Sequence, residues 1–362
     1  IHWSVLDKRV QVVLDAGIPQ LIGETGDGSL NALPILPNSS LPIDPNTVGI
    51  QPYLAHIYRW TRCVVNRYKD RISLWQVENE LNEAFAESLG NVRFNPLLKN
   101  ARPNRLPLIS SYVALARGNS GLSGHNAWGN FTFLTTLLST LISAVHDEQP
   151  TGQCTTNLHT DIPQQIHQEF GVPGFYLDAM KAWAPLVDFA SFDAYPNYGS
   201  GNPARGDVIG QRCALIKQIV GKKPTIIMET SFPTASIEMD SVMPSQVNFT
   251  NANQANFIIE SFESSQDAST KCCGYLFFGI WTTQGITESY NAQDIEALNI
   301  VEQVLITGEL KPLIDYGLRH PIYVTTKLPS VITRVEHGWG VMGPNGEKRQ
   351  SYQAISSVFH SE

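Results

Sequence analysis

Two short runs in this chain, Pro224-Thr225-Ile226-Ile227-Met228-Glu229-Thr230 and Gly274-Tyr275-Leu276-Phe277-Phe278-Gly279-Ile280-Trp281, are apolar almost without interruption. A strand with one face in water alternates apolar and polar residues. A strand covered on both faces does not, and such strands belong to parallel sheets flanked by helices. The rest of the chain supplies those helices. Apolar residues recur at helical spacing over 3–16, 53–68, 131–145, 175–183, 208–220, 252–265 and 351–359. Strand-like runs lie between them at 18–23, 72–77, 152–159, 187–195, 224–230 and 274–281. This steady alternation predicts an α/β fold built on a parallel sheet. No linker or composition break divides residues 1–362, which read as a single domain.

Bulk chemistry narrows the partners. A net charge of −8 argues against binding nucleic acid or an acidic membrane surface. The sequence has no apolar run approaching the roughly 20 residues that span a bilayer. The five cysteines (Cys63, Cys154, Cys213, Cys272 and Cys273) show no zinc-type spacing, so no metal site is expected. Cys272-Cys273 reads as one half of a bridge to Cys213 or Cys154. Sequons at Asn38, Asn130 and Asn248 permit a secreted or lysosome-like location. The chain starts at Ile1 rather than Met, which leads us to expect a segment of the precursor upstream.

Charge is sparse, at 16% of residues, yet Trp75-Gln76-Val77-Glu78-Asn79-Glu80-Leu81-Asn82-Glu83 gathers three carboxylates directly behind a strand. Other strand ends are also polar or aromatic: Asp193-Ala194-Tyr195, Met228-Glu229-Thr230 and Ile280-Trp281. In parallel barrels these ends converge on one rim, where the chemistry sits. Two carboxyl groups there suit hydrolysis of a glycosidic bond: one protonated to donate to the leaving oxygen, the other ionised to attack or to activate water. An aromatic face offers a platform for a sugar ring, an amide can hold a ring hydroxyl, and a tyrosine can hydrogen-bond the nucleophile.

The pair WQVENEL and PTIIMETSFPT resembles the clan of retaining glycoside hydrolases on (β/α)8 TIM barrels. In that clan the acid/base is the Glu of an Asn-Glu pair ending the fourth strand, and the nucleophile is a Glu ending the seventh. The resemblance implies Glu80 as acid/base, Asn79 as its partner holding a sugar hydroxyl, and Glu229 as nucleophile. It further implies Tyr195 as hydrogen-bond partner of the nucleophile and Trp281 as the sugar platform. The stretches 137–159 and 340–352 are also similar to the clan's pattern. With 72–80 as the fourth strand, the first one or two βα units are absent from this chain, and no second-strand arginine can be assigned.

Several residues keep two readings. Asn157 and His159 are candidates for substrate contact or for loop hydrogen bonds. Asp193 reads as a cap more readily than as a rim ligand. Glu78 could share the strand face of Glu80, and Glu83 reads as a first-turn helix residue. Glu24 and Asp27 could line the rim, although an Asp-Gly turn explains the latter equally. Loops at 31–50 and 84–130 are expected to shape a cleft. The function expected is retaining hydrolysis of a poly- or oligosaccharide without cofactor. The alternative is a barrel that binds carbohydrate or serves structure without turnover. The sugar, its linkage and endo or exo action are not legible.

Overall fold

A computed structural model describes residues 3–18, 20–26, 45–83, 127–170, 174–199, 201, 203–236, 239, 246–267, 270–279, 286–332, 334–335, 338–343 and 345–360. In chain order the elements are α1 (Trp3–Asp15), β1 (Ile22–Glu24), α2 (Pro45–Val48), α3 (Ile50–Tyr68), β2 (Leu74–Glu78), α4 (Phe131–Glu148), β3 (Gln153–His159), α5 (Gln164–Phe170), α6 (Tyr176–Trp183) and β4 (Ala190–Ala194). There follow α7 (Asp207–Val220), β5 (Thr225–Thr230), α8 (Asn251–Gln266), β6 (Gly274–Phe277), α9 (Ala292–Thr307), α10 (Lys311–Arg319), α11 (Pro321–Thr326), α12 (Leu328–Ile332) and α13 (Gln350–His360).

The six strands form one sheet in sequence order, β1-β2-β3-β4-β5-β6, and every pairing is parallel. Helices connect consecutive strands, as parallel neighbours require. The strands curl into a half-barrel whose C-terminal ends lie on one side. Among the described residues β1 and β6 do not pair with each other, so the barrel anticipated from the sequence is present here as an open arc. Every residue of β2 and β4 is buried, whereas all four residues of β6 are half-buried.

Two helices illustrate how the sheet is covered. In α3, Tyr53, Leu54, Ile57, Thr61, Val64, Val65 and Tyr68 are buried on one stripe, the spacing that an amphipathic helix needs. In α4, Phe133, Leu134, Leu137, Leu138, Leu141, Ile142 and Val145 are buried. The hydroxyls of Thr135, Thr136, Ser139 and Thr140 donate to the carbonyls one turn back, satisfying polar groups within the helix. Asn130 caps α4 by accepting from the Phe133 N–H, so this sequon asparagine has a local structural task. By contrast α1 has no buried residue, and Val5 and Val12 are more than half exposed.

The structure adds elements that periodicity did not single out: the four helices α9–α12 between residues 292 and 332. It also resolves the cysteine alternatives, since Cys213 on α7 is bridged to Cys272 ahead of β6. Cys63 and Cys273 are free and exposed, and Cys154 is free and buried. No helix among the described residues is long and apolar enough to cross a membrane.

Candidate active site

β2 ends at Glu78, and the chain turns sharply to place Asn79 and Glu80 at the C-terminal side of the sheet. Glu80 adopts φ 44°, a left-handed conformation that costs a residue with a Cβ about 1–2 kcal/mol. Two contacts hold it there. Its N–H donates to Asn157 Oδ1 at 3.1 Å, and its carbonyl accepts from the Glu83 N–H at 2.8 Å, closing the short 3-10 turn Leu81–Glu83. Strain of this kind persists where surroundings over-determine the backbone, which is common at working sites.

Asn157, fully buried on β3, joins the two halves of the site. Its Nδ2 donates to Asn79 Oδ1 at 2.6 Å and also to Asp193 Oδ2. Asn79 Oδ1 accepts from Gln76 Nε2 as well, at 3.0 Å. Asp193 pairs in register with Glu229 across β4 and β5, just past a register shift; such irregularities re-aim side chains at sheet ends. Burial pushes the Asp193 carboxyl well above its ordinary range, and the nearby charges of Glu229 and then Glu80 push it further. The protonated form of Asp193 is favoured accordingly. The expectation that Asp193 is a cap is corrected: it is a fully buried member of the network. Its cause is the sheet register, which places it between two other carboxylates.

Glu229, half-buried on β5, accepts a hydrogen bond from the Tyr195 hydroxyl at 2.7 Å on Oε2. The Tyr195 phenol is held far above its usual range by burial first and by the Glu229 charge second, so it remains a donor. Its backbone N–H is fixed by Asp161 Oδ2 at 2.5 Å. Around it stand Trp339 at 5.0 Å between ring centroids, Phe278 at 5.9 Å and Tyr198 at 6.1 Å. Both Glu80 and Glu229 act electrostatically on Asp193 and on Tyr195.

Of the remaining candidates, His159 ends β3 with Nε2 3.6 Å from Asp161 Oδ2, and its Nδ1 has no partner among the described residues. Trp281 and Asp27 lie outside the described residues, as do most of the two cleft loops. Glu78 is buried at the β1 end, where its carboxylate lies so close to Gly26 that a Cβ there would sit 2.4 Å from Oε2. Glu24 is exposed on β1. Glu83 lies in the single turn of the 3-10 helix Leu81–Glu83, as a first-turn residue; it is also buried and stands 3.2 Å from His167 Nε2.

Two residues escaped the sequence reading. Asn82 is buried and works as a clamp: Oδ1 accepts from the His159 N–H at 2.9 Å, while Nδ2 donates to the carbonyls of His159 and Gly174 at 2.9 and 3.0 Å. Trp339 packs on Tyr195 although 144 residues separate 195 from 339. The only hint was its position one residue ahead of the closing Gly340-Val341-Met342 stretch. Cys154 lies near the start of β3, away from the strand end that carries these residues; burial and then the Asp188 charge push its thiol up to about 12.

No family model and no curated protein matches the sequence. Solved structures do. A glycoside hydrolase of family 5, subfamily 18, from Bifidobacterium longum in complex with Manb1-4GlcNAc shares 10% identity at a TM-score of 0.57, over 99% of this chain and 64% of that one. One of the same subfamily from Streptomyces cattleya, in complex with GlcNAc, shares 9% at 0.54, over 94% and 61%. A family 10 endoxylanase from a sugarcane soil metagenome shares 11% at 0.51, over 99% and 82%. The chain therefore has the fold of these glycoside hydrolases, while spanning about three fifths of the length of the family 5 structures.

Proposed function

We propose that this chain is a single catalytic domain that hydrolyses O-glycosidic bonds of a poly- or oligosaccharide with retention of anomeric configuration. One observation carries the reading: Glu229 Oε2 is hydrogen-bonded by the Tyr195 hydroxyl at 2.7 Å. A phenol that donates to a carboxylate favours its ionised form and aims its free oxygen, which is what a nucleophile requires.

In this mechanism Glu80 protonates the glycosidic oxygen as Glu229 attacks the anomeric carbon. The bond to the leaving sugar breaks as the glycosyl–Glu229 ester forms. Water then cleaves the ester, giving its proton to Glu80. Asn79, fixed by Gln76 and Asn157, is placed to hold the sugar hydroxyl next to the reacting carbon. Asp193, whose protonated form is favoured by burial and by the neighbouring acids, is disposed against adding a third charge to a site that must hold one carboxylate and one carboxylic acid. His159 is placed to contact substrate, and Trp281 and Trp339 are the aromatic faces proposed for the sugar. The Cys213–Cys272 bridge favours an oxidising, secreted or lysosome-like compartment.

A panel of aryl β-mannosides, β-xylosides, β-galactosides and β-glucosides tests the reading. Hydrolysis of at least one is expected, with loss of turnover and unchanged circular dichroism in Glu229→Gln. Binding without hydrolysis across the panel would favour the non-catalytic alternative, and an active Glu229→Gln enzyme would remove the nucleophile assignment.

A further inference from the structure

At the opposite end of β3 three donor atoms of different chemistry converge. His146 lies in the last turn of α4, Cys154 is the second residue of β3, and Asp188 sits just ahead of β4. His146 Nε2 is 3.9 Å from Cys154 Sγ and 3.9 Å from Asp188 Oδ2, and all three donor atoms lie within 4.8 Å of one another. We propose that His146, Cys154 and Asp188 form a Zn2+ site that staples α4 to the N-terminal edge of the sheet.

Geometry is the first argument. Zinc takes sulfur at about 2.3 Å and nitrogen or oxygen at about 2.0–2.2 Å in a tetrahedron, so its donors stand roughly 3.3–3.6 Å apart. The two separations from His146 exceed that by a few tenths of an ångström, and the Cys154–Asp188 pair by no more than about 1.2 Å. The half-exposed imidazole and carboxylate can close the gap by turning about their side-chain bonds. The buried sulfur needs no movement, because the backbone around it is fixed. The Cys154 N–H donates to Asp188 Oδ2 at 2.7 Å, and the Asp188 N–H donates to the Cys154 carbonyl at 2.8 Å.

Donor chemistry is the second. A thiolate, an imidazole and a carboxylate suit zinc and not magnesium or calcium, which take oxygen donors alone. Cys154 closes the inner side of the site with a fully buried residue, while the His146 and Asp188 side chains are 41% and 39% exposed. The fourth position therefore opens to water. Binding releases the thiol proton to solvent. His146 Nε2, now 3.2 Å from the Gly152 carbonyl, must carry its lone pair toward the metal, with the ring proton on Nδ1.

Location gives the role. Cys154 and His159 are five residues apart on one strand, about 16 Å, so the ion would stand at the face of the sheet away from Glu80 and Glu229. It links three chain segments and does no chemistry on substrate. Spacing along the sequence argued against a metal because no two donors form a short motif; the site is assembled only by the α4–β3–β4 connection.

The test is calorimetric titration of the chelator-treated full chain with ZnCl2, repeated with His146→Gln, Cys154→Ser and Asp188→Asn. One Zn2+ per chain is expected, with a higher Tm on loading and at least tenfold weaker binding in each folded variant. Circular dichroism checks folding. If Cys154→Ser fails to fold, the two half-exposed positions decide. Co2+ in place of zinc should give a thiolate-to-metal charge-transfer band that His146→Gln weakens. Absence of saturable binding to the wild-type chain overturns the assignment. So does undiminished binding in His146→Gln, which would place the ion elsewhere, such as on exposed Cys63.

Discussion

Replacing Tyr195 with Phe removes one hydroxyl and almost nothing else. The ring contacts with Trp339 and Phe278 remain, and so does the backbone bond from the Tyr195 N–H to Asp161. What disappears is the 2.7 Å hydrogen bond to Glu229 Oε2. A bond to a charged acceptor contributes about 1.5–3 kcal/mol, and one pKa unit corresponds to about 1.4 kcal/mol. The donor favours the ionised carboxylate, so its removal makes Glu229 harder to ionise, by a free energy of that order. The nucleophile must be ionised, hence the acidic limb of the kcat/KM profile moves to higher pH. The deficit should shrink as pH rises past the new limb. A profile of kcat/KM against pH on the best aryl glycoside reads this directly. An acidic limb that stays in place, with kcat/KM within about twofold of wild type, would refute the coupling of Tyr195 to Glu229.

Three further outcomes follow from other parts of the site and fold. Asp193→Asn should flatten the pH dependence of stability: the folded protein keeps a proton that the unfolded chain releases above about pH 4. Wild-type stability therefore falls with rising pH between the unfolded and folded values, by up to about 1.4 kcal/mol per unit, and urea midpoints at several pH values should show the variant without that slope. Gly174→Ala should destabilise by about 1–3 kcal/mol and lower kcat, because φ is +105° and a Cβ would lie 2.0 Å from the Asn82 carbonyl; ordinary activity and Tm would show that the Asn82 clamp is unimportant. Reducing the Cys213–Cys272 bridge, with 59 residues of sequence separation, should lower unfolding free energy by about 4 kcal/mol in a chain-entropy account, measured by denaturation with and without reductant.

Glu229 was legible because a carboxylate directly behind Ile226-Ile227-Met228 has no bland reason to be half-buried. The strand-end positions of Asn79-Glu80 and Tyr195 were legible from the strand-like runs that precede them. What sequence could not supply was lateral register. Whether Asp193 caps a loop or lies among carboxylates depends on a shift between β4 and β5 that no local pattern encodes. Trp339 was hidden by distance along the chain. The region of α9–α12 did carry local signals, an Asn291/Asp294 capping box and a left-handed Gly308 stop.

Asn157 has a consequence for anyone wishing to transplant this chemistry. A single amide on the middle strand serves the backbone of one acid and the carboxyl that neighbours the other. Neither half can be grafted alone onto a foreign scaffold and keep its aim. The smallest portable piece is four adjoining strands, β2 to β5, carried over with their irregular pairings intact.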